Sequence, residues 1–408
     1  MSRLPALTFG LLLTLVLTPA RAGLLFTPHL SEYAIQEPGV YTETSVIYTE
    51  IGDVFDREGR KVKIGTPFVP AGASTDAGLA LFKVLWVGNL FRDTELPYLK
   101  DNSQFCRLIA GFGYQENTRQ IADRGRLFGA RPGGNGLSDL YGVCGIYTPQ
   151  FRYGPLKFNG LVSTTLKEPT GQFDTDAMLN VGSGYRSVIP QLALHAELFG
   201  RLYMDGILAY QFNGNNDRPA FGGTTPTGIA DWWNAEANLA WKFSEHWFVD
   251  VGYSFHKSVG NNRYDDVTIN FKDQPLAPDT LCETLGLGPR ACNTPVLDAF
   301  YLAPRRGPYE DRGVKSTLLS AGFSYIYRSS SVLQLRVVKP ISGRGSQIDV
   351  VYDVCATGNC PGPDNNNSGV GDNSLASLNT TLFGVQEAAA TSASPYAELR
   401  FVYLFWSP

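Results

Sequence analysis

Hydrophobic side chains recur at every second position through much of this chain, and that period limits the possible folds more than any other feature. In segment 231–243, Trp233 and Trp241 share one face, whereas Glu236 and Asn238 share the other. Successive side chains of a β-strand point to opposite faces, so this alternation predicts strands that separate two different environments. The same pattern is found in three more segments: 156–167, 202–212 and 247–255.

Twelve strands are predicted from this alternation and from the turn residues between them. From the fourth strand onward, short and long connections alternate strictly. An even number of antiparallel strands with short turns at one end and long loops at the other is typical of an outer-membrane barrel. We therefore predict an all-β fold, a transmembrane antiparallel β-barrel with short periplasmic turns and long extracellular loops. The predicted strands span 39–52, 74–88, 105–115, 138–151, 155–167, 183–197, 200–213, 229–243, 246–257, 315–328, 331–341 and 395–406.

A soluble β-sandwich is the main alternative, because its strands alternate as well. Two features favour the barrel. Aromatic residues lie near the ends of the apolar faces, where a membrane has its interfaces, and the opposite faces carry charges that a dry core would have to bury. Composition excludes other classes: 43 Gly, 25 Pro and 18% charged residues do not fit a helical bundle, and a net charge of −4 gives no basic surface for nucleic acid.

Residues 1–22 are predicted to be a signal peptide, with Arg3 as its positive end and Ala20-Arg21-Ala22 as its cleavage site. No later apolar run approaches the roughly 20 residues of a transmembrane helix. We expect export to the outer membrane of a Gram-negative cell, with residues 39–408 as the barrel. Residues 23–38 form either a periplasmic tail or a plug that enters the lumen. Their apolar residues favour the plug, because a free tail would leave them in water.

Export allows the six cysteines to form disulfides. Two pairs are close in sequence within Pro-, Gly- and Asn-rich stretches, which predicts the loop disulfides Cys282–Cys292 and Cys355–Cys360. Cys106 and Cys144 lie on the apolar faces of neighbouring predicted strands, in positions compatible with a cross-strand disulfide. Two unpaired thiols that face lipid are the alternative, and the sequence does not decide between the two.

The polar faces of the predicted strands would line the lumen. Positive and negative residues occur there in similar numbers, so strong ion selectivity is not expected. One interpretation is a polar path for a small solute, and the other is a set of cross-strand ion pairs that fill a narrow barrel. The residues assigned to the lumen are Glu43, Arg107, Asp139, Lys157, Asn159, Arg201, Asp205, Glu236, Asn238, Lys242, Asp250, Arg336, Glu398 and Arg400.

No enzyme, cofactor or metal is predicted, since the sequence contains no H-E-x-x-H, no Cys/His zinc spacing and no G-x-S-x-G. An outer-membrane phospholipase would need a Ser-His pair that faces lipid, but His195 is expected to point into the lumen. The first long loop carries four basic residues that could meet the phosphates of lipopolysaccharide or simply form a solvated loop. These residues are Arg57, Arg60, Lys61 and Lys63.

Four short motifs resemble those of a known family. Gly134 to Leu140 resembles a G-x-G-D-L motif that opens a strand, although Ser138 interrupts the run by one position. The next motifs in the chain are K-x-P-T-G within Leu166 to Gly171 and N-x-G-S-G at Asn180 to Gly184. A later predicted strand ends with the fourth motif, Ala209 to Phe212. In this order they resemble the family named for the MetA pathway of phenol degradation, over most of the mature chain.

The resemblance implies an outer-membrane barrel that passes aromatic or other hydrophobic compounds. We therefore expect passive or facilitated diffusion of small hydrophobic or aromatic solutes. A non-transporting barrel with adhesive or structural surface loops is the alternative. The expected partners are outer-membrane lipid, lipopolysaccharide and the barrel assembly machinery. The last predicted strand resembles the signal for that machinery, but its terminal aromatics Phe405-Trp406 are followed by Ser407-Pro408.

Overall fold

The structure of the chain is a computed structural model that describes residues 33–55, 59, 61–63, 74–90, 102–117, 133–174, 180–217, 228–264, 309–310, 314–328, 331–344 and 393–406. Every regular element among these residues is a β-strand. In this part of the chain, no helix has the length and apolar character that crossing a membrane requires.

Twelve long strands form the wall of the molecule and follow one another around it in chain order. Their positions confirm the predicted strands, and most ends differ by only a few residues. The strands are β1 (Gly39–Ile51), β2 (Thr75–Gly88), β3 (Gln104–Asn117), β4 (Leu140–Tyr147), β5 (Leu156–Glu168), β6 (Ser187–Leu198), β7 (Leu202–Asn213), β8 (Asp231–Lys242), β9 (Trp247–Val259), β10 (Lys315–Arg328), β11 (Ser331–Arg344) and β12 (Tyr396–Trp406). Short additional strands span Asp53–Phe55, Lys61–Lys63, Gly133–Leu137, Phe151–Tyr153, Arg263–Tyr264 and Tyr309–Glu310.

The sheet closes on itself because its first and last strands pair. Ser45 of β1 faces Arg400 of β12 on one side and Leu81 of β2 on the other. All neighbouring strands of the ring are antiparallel, including β5 and β6. Each strand therefore has a hydrogen-bonding partner on both sides, which is the condition for a sheet to cross a bilayer that offers no water. The predicted antiparallel barrel of twelve strands is confirmed.

The connections give the barrel two different ends, here called the short-turn end and the long-loop end. Short connections join β6 to β7, β8 to β9 and β10 to β11, and a tight turn joins the short strand Phe151–Tyr153 to β5. In the β6–β7 turn, Phe199 and Gly200 have positive φ angles of 55° and 66°, and the Arg201 N–H donates to the Leu198 carbonyl at 3.1 Å. This geometry is that of a type I′ hairpin turn. Arg201 is therefore an exposed turn residue, and its predicted place in the lumen is wrong.

The two faces of the sheet differ as predicted. On the outward face, Leu239 is 42% exposed and Val251 is 57% exposed. Their neighbours along the same strands, Asn238 and Asp250, are buried. In a barrel built of a single sheet, a buried side chain on a strand points into the lumen. The predicted lipid-facing and lumen-facing sides of β8 and β9 are thus the observed ones.

Aromatic rings cluster at both ends of the outward face. At the short-turn end, the ring of Trp247 lies 4.7 Å from that of Phe323 and 4.4 Å from that of Tyr325. Toward the long-loop end, the ring centroids of Tyr210 and Trp233 are 4.8 Å apart. Aromatic girdles in these positions mark the two membrane interfaces of a barrel, where rings that are apolar but carry a polar edge are favoured.

The fourth strand departs most from its predicted span. Where the sequence predicts one strand over 138–151, the structure has Gly133–Leu137, β4 and Phe151–Tyr153. The first break falls at Asp139, because its carboxylate accepts hydrogen bonds from the β5–β6 loop, including the Ser183 N–H at 3.0 Å. These contacts between distant parts of the chain remove the residue from the strand ladder, and a local pattern does not reveal them.

The structure joins Cys106 of β3 to Cys144 of β4 in a disulfide. The two residues are direct neighbours in the sheet, and they lie on its outward face. Of the two alternatives that the sequence left open, the structure contains the cross-strand disulfide. The predicted loop pairs Cys282–Cys292 and Cys355–Cys360 and the predicted signal peptide lie outside the described residues.

Replacing Leu239 by arginine should destabilise the barrel by about 2–4 kcal/mol, because a charge on the lipid face is costly near the middle of the bilayer. Urea unfolding of the protein in phospholipid vesicles measures the difference. Glu245→Arg, in the exposed turn between β8 and β9, is the control and should have little effect. A spin label at Leu239 that reports water rather than lipid would contradict this orientation.

Candidate functional site in the lumen

The inward-facing residues divide the lumen into two walls of different chemistry. Along β2 to β4 they are mostly hydrophobic, and together with Leu161 of β5 and Ile189 of β6 they form the part of a hydrophobic cluster that is here called the apolar wall. The other inward residues of β5 and β6 are mostly polar. Along β8, β9, β11 and β12 most of them are polar or charged, although Val338 and Tyr396 belong to the hydrophobic cluster. The polar residues of these strands are called the polar wall. The apolar wall comprises Leu79, Leu81, Val87, Phe105, Ile109, Tyr141, Val143, Tyr147, Leu161 and Ile189. The polar wall comprises Asn234, Glu236, Asn238, Asp250, His256, Gln334, Arg336, Glu398 and Arg400.

The apolar wall was not predicted from the sequence, although the residues of β2 indicate it. From Gly78 to Val87 the residues are apolar apart from Lys83. A strand that is apolar at both odd and even positions meets apolar surroundings on both faces. In β2 one of these faces is in contact with lipid, so the other marks a hydrophobic part of the lumen.

A buried ion pair in the polar wall connects two strands that are not direct neighbours in the sheet. Arg336 Nη2 on β11 lies 2.5 Å from Asp250 Oδ1 on β9, although β10 runs between these strands. Gly322 of β10 pairs in register with both residues, and a Cβ at Gly322 would overlap the Asp250 carboxylate. Gln334 donates a further hydrogen bond to Asp250 at 3.1 Å. Because an uncompensated buried charge is costly, the missing side chain at Gly322 is what allows the two charges to meet.

A second group of charges connects the strands at the closure of the barrel. Glu43 of β1 lies 2.7 Å from Lys83 Nζ of β2 and 2.9 Å from Arg400 Nε of β12. Arg400 Nη2 also lies 3.0 Å from Glu398 Oε1. The predicted lumen residues Glu43, Glu398 and Arg400 therefore lie inside the barrel as paired charges. This arrangement fits the ion-pair interpretation for these three residues.

A row of polar side chains crosses the wall at a single level. Asn159, His195, Asp205 and Asn238 are direct neighbours in successive strands from β5 to β8. His195 Nδ1 and Asp205 Oδ1 are 2.6 Å apart, and both side chains are buried. His195 thus points into the lumen as expected, and its hydrogen bond to Asp205 explains how the imidazole is accommodated there.

The remaining predicted lumen residues have different surroundings. Lys157 lies near the short-turn end, where its ammonium is 2.7 Å from Glu197. Lys242 is also near that end, with its ammonium 5.6 Å from the centre of the Phe248 ring. Glu236 is buried in the middle of β8. The role of these residues as the lining of a path stays a prediction.

The N-terminal segment enters the lumen beside the apolar wall. Tyr33, which precedes β1, is only 7% exposed and belongs to the hydrophobic cluster of the lumen. The Asn159 amide donates a buried hydrogen bond to the Tyr33 carbonyl at 2.9 Å. Ile35 packs against the same cluster. Of the segment predicted as a tail or a plug, residues 23–32 lie outside the described part of the chain.

A small cavity of about 30 Å³ lies between Tyr33 and the apolar wall. Aromatic and aliphatic side chains form most of its surface, and hydroxyl and amide groups of β5 and β6 form the rest. Arg107, one of the predicted lumen residues, contributes the single charge among the described residues around it. The lining comprises Tyr33, Phe105, Arg107, Ile109, Tyr141, Val143, Leu161, Ser163, Thr165 and Gln191.

The motif residues noted in the sequence meet at the long-loop end of β5. Asp139 accepts hydrogen bonds from the Ser183 hydroxyl at 2.5 Å and from the Gly171 N–H at 3.2 Å. Lys167 donates to the Ser183 hydroxyl at 2.6 Å, and its ammonium lies 3.3 Å from the centre of the Tyr185 ring. Asp139 and Lys167 are both buried and point inward, so this cluster fastens the β5–β6 loop at the edge of the lumen.

Introducing a methyl group at Gly322 should separate Asp250 from Arg336. Gly322→Ala is expected to lower the free energy of unfolding by much of the roughly 3–5 kcal/mol that breaking a buried ion pair costs. A lower urea midpoint would report this loss. Gly142→Ala is the matched control, because a Cβ there would have no described atom within 4 Å. Equal midpoints for the two variants would show that this ion pair contributes little.

The fold of this chain is similar to that of a solved channel. Among solved structures, an outer membrane channel from Pseudomonas putida F1 is similar with a TM-score of 0.56 at 11% identity, covering 93% of this chain and 100% of that one. The translocator domain of the autotransporter NalP from Neisseria meningitidis has a TM-score of 0.35 at 9% identity, covering 91% and 90%. A mutant of the monoaromatic hydrocarbon channel TodX has a TM-score of 0.35 at 11% identity, covering 95% of both chains. At 11% identity, the similarity to the Pseudomonas putida channel shows a shared fold and nothing further.

No curated protein matches the sequence. Residues 65–279, more than half of the chain, match the sequence model of a family described as the MetA-pathway of phenol degradation. The matched region contains the three motifs that meet around Asp139 and Lys167. The chain therefore belongs to the family of the MetA-pathway of phenol degradation.

Proposed function

We propose that this protein is an outer-membrane channel that admits small hydrophobic or aromatic molecules by passive or facilitated diffusion. The observation that carries the proposal is the apolar wall. Side chains such as Leu81, Phe105 and Ile109 are buried inside the barrel, and a passage that opens along them would favour a hydrophobic solute over water. The family, whose description includes phenol degradation, supports the same class of solute.

The division of the lumen supports a path along one side only. Arg336 with Asp250 and Arg400 with Glu43 compensate each other's charge in the polar wall. These pairs fix the shape of that wall without offering a strong net charge to ions. A neutral aromatic ring avoids the desolvation that contact with these groups would require, so it follows the apolar wall.

Introducing an amide into the apolar wall should slow the uptake of a small aromatic. We expect Ile109→Asn to reduce uptake of radiolabelled phenol several-fold in cells that lack their general porins, while uptake of radiolabelled glycerol stays the same. Ser254→Ala, a small change on β9 in the polar part of the lumen, serves as the control. Phenol uptake that is equal in both variants would argue against a path along the apolar wall.

Residues 23–38 are proposed to act as a plug, supported by the burial of Tyr33 against the apolar wall. Deleting 23–38 while keeping residues 1–22 should raise the single-channel conductance in planar bilayers, because the lumen loses an obstacle. Heat-modifiable migration checks that the shortened protein still forms a barrel. Unchanged conductance would instead make the segment a periplasmic tail.

The remaining partners follow from an outer-membrane location. Residues 1–22 are proposed to direct export, and β12 to present its alternating face to the barrel assembly machinery. Outer-membrane lipid would contact the outward face, and lipopolysaccharide the long loops. A channel needs no catalytic group, which fits the placing of His195 in a hydrogen bond to Asp205 within the lumen.

A non-transporting barrel is the second candidate, and the buried ion pairs favour it. Pairs such as Arg336–Asp250 stabilise one wall regardless of any solute. In that case the long loops would serve adhesion or the architecture of the envelope. A barrel that stays closed to phenol and to ions, with or without residues 23–38, would support this second function over the first.

A further inference from the structure

Tyr33 lies where a solute on the apolar wall would have to pass. The chain leads from Gly39, at the short-turn end of β1, back into the lumen as far as the level of Asn159 on β5. There the Tyr33 side chain is 93% buried in the same cluster as Phe105 and Leu161. An aromatic ring from the chain itself therefore rests on the surface that the proposed function assigns to the solute.

The cavity beside Tyr33 is too small for a second ring. Its volume is about 30 Å³, which suits a water molecule, whereas a cavity of about 150 Å³ is known to bind benzene. Removal of the Tyr33 side chain would add the space of a phenol ring to this cavity. The apolar wall thus has room for one aromatic ring at this level, and Tyr33 supplies that ring.

The chemistry of the cavity suits a ring with one small polar group. Phe105 and Tyr141 offer aromatic faces and edges, and Val143 offers an aliphatic surface. On β5 and β6, the Thr165 hydroxyl donates to the Gln191 side-chain oxygen at 3.0 Å, so hydroxyl and amide groups line the opposite part. The side chain of tyrosine, an apolar ring with a hydroxyl, is itself an example of such a ligand.

We propose that this cavity together with the space of the Tyr33 ring is a binding site for a single aromatic ring, and that Tyr33 is its internal occupant. A solute enters by displacing Tyr33. The exchange replaces one buried ring by another, so the apolar wall stays covered, and it breaks the hydrogen bond from Asn159 to the Tyr33 carbonyl. The identity of the solute as an aromatic rests on the function proposed above.

Titration calorimetry with p-cresol on the full-length protein in detergent micelles tests the competition. Tyr33→Ala should bind p-cresol at least ten-fold more tightly than the unmodified protein, because the competitor is gone. Tyr33→Phe keeps a ring in the site and should bind like the unmodified protein. Tyr48→Ala removes a tyrosine that is 44% exposed on the outward face and should have no effect.

A second variant separates a filled site from a damaged barrel. Adding Val143→Phe to Tyr33→Ala places a new ring in the cavity and should cancel the gain in affinity, while heat-modifiable migration stays that of a folded barrel. A Tyr33→Ala protein that binds p-cresol no more tightly than the unmodified one overturns the proposal. Weaker binding overturns it too, because Tyr33 would then be part of the site and not its competitor.

Uptake of p-cresol by cells distinguishes failure of this inference from failure of the proposed function. If the unmodified protein takes up p-cresol and Tyr33→Ala takes up no more, the channel function stands, but Tyr33 is not an internal ligand that competes with the solute. Tight binding by Tyr33→Ala without uptake by any variant would keep the binding site but contradict the channel.

Discussion

The closed ladder of backbone hydrogen bonds is the constraint on which the rest of the molecule depends. Within a bilayer no water replaces a missing partner, so every strand needs neighbours on both sides. Pairing of β1 with β12 meets this condition and fixes which face of each strand points inward. Once the ring is closed, a shift of one residue in any strand would turn charges toward lipid and leucines toward the lumen.

Closure also explains how one narrow interior can be apolar on one side and charged on the other. The inward residues of neighbouring strands are held side by side, so residues of like character form continuous walls. Charges on β9, β11, β12, β1 and β2 find partners within hydrogen-bonding distance, whereas the hydrophobic groups of the apolar wall need a different cover. Tyr33 provides part of that cover from the chain itself.

The sequence was sufficient for the strands and their faces because both depend on local alternation. The placement of Arg201 failed because the tight turn at Phe199 and Gly200 includes Arg201, so that β7 begins at Leu202 and not at the predicted residue 200. Turn type is a finer feature than hydrophobic period. The break at Asp139 depends on a loop more than 30 residues away in the chain, where Ser183 donates to its carboxylate. Pairing of Asp250 with Arg336 needed three strands in register, so each residue was placed in the lumen without its partner.

The charges around Glu43 have a consequence for assembly. Before the ring closes, β1 and β12 are opposite edges of one sheet, and Glu43 and Arg400 are far apart. An incomplete or wrongly joined sheet would leave Glu43 with Lys83 alone and Arg400 with Glu398 alone, while the correct seam brings Glu43 and Arg400 to 2.9 Å. The lumen therefore distinguishes a finished barrel from a stalled one by its electrostatic energy, in addition to the backbone bonds that close it.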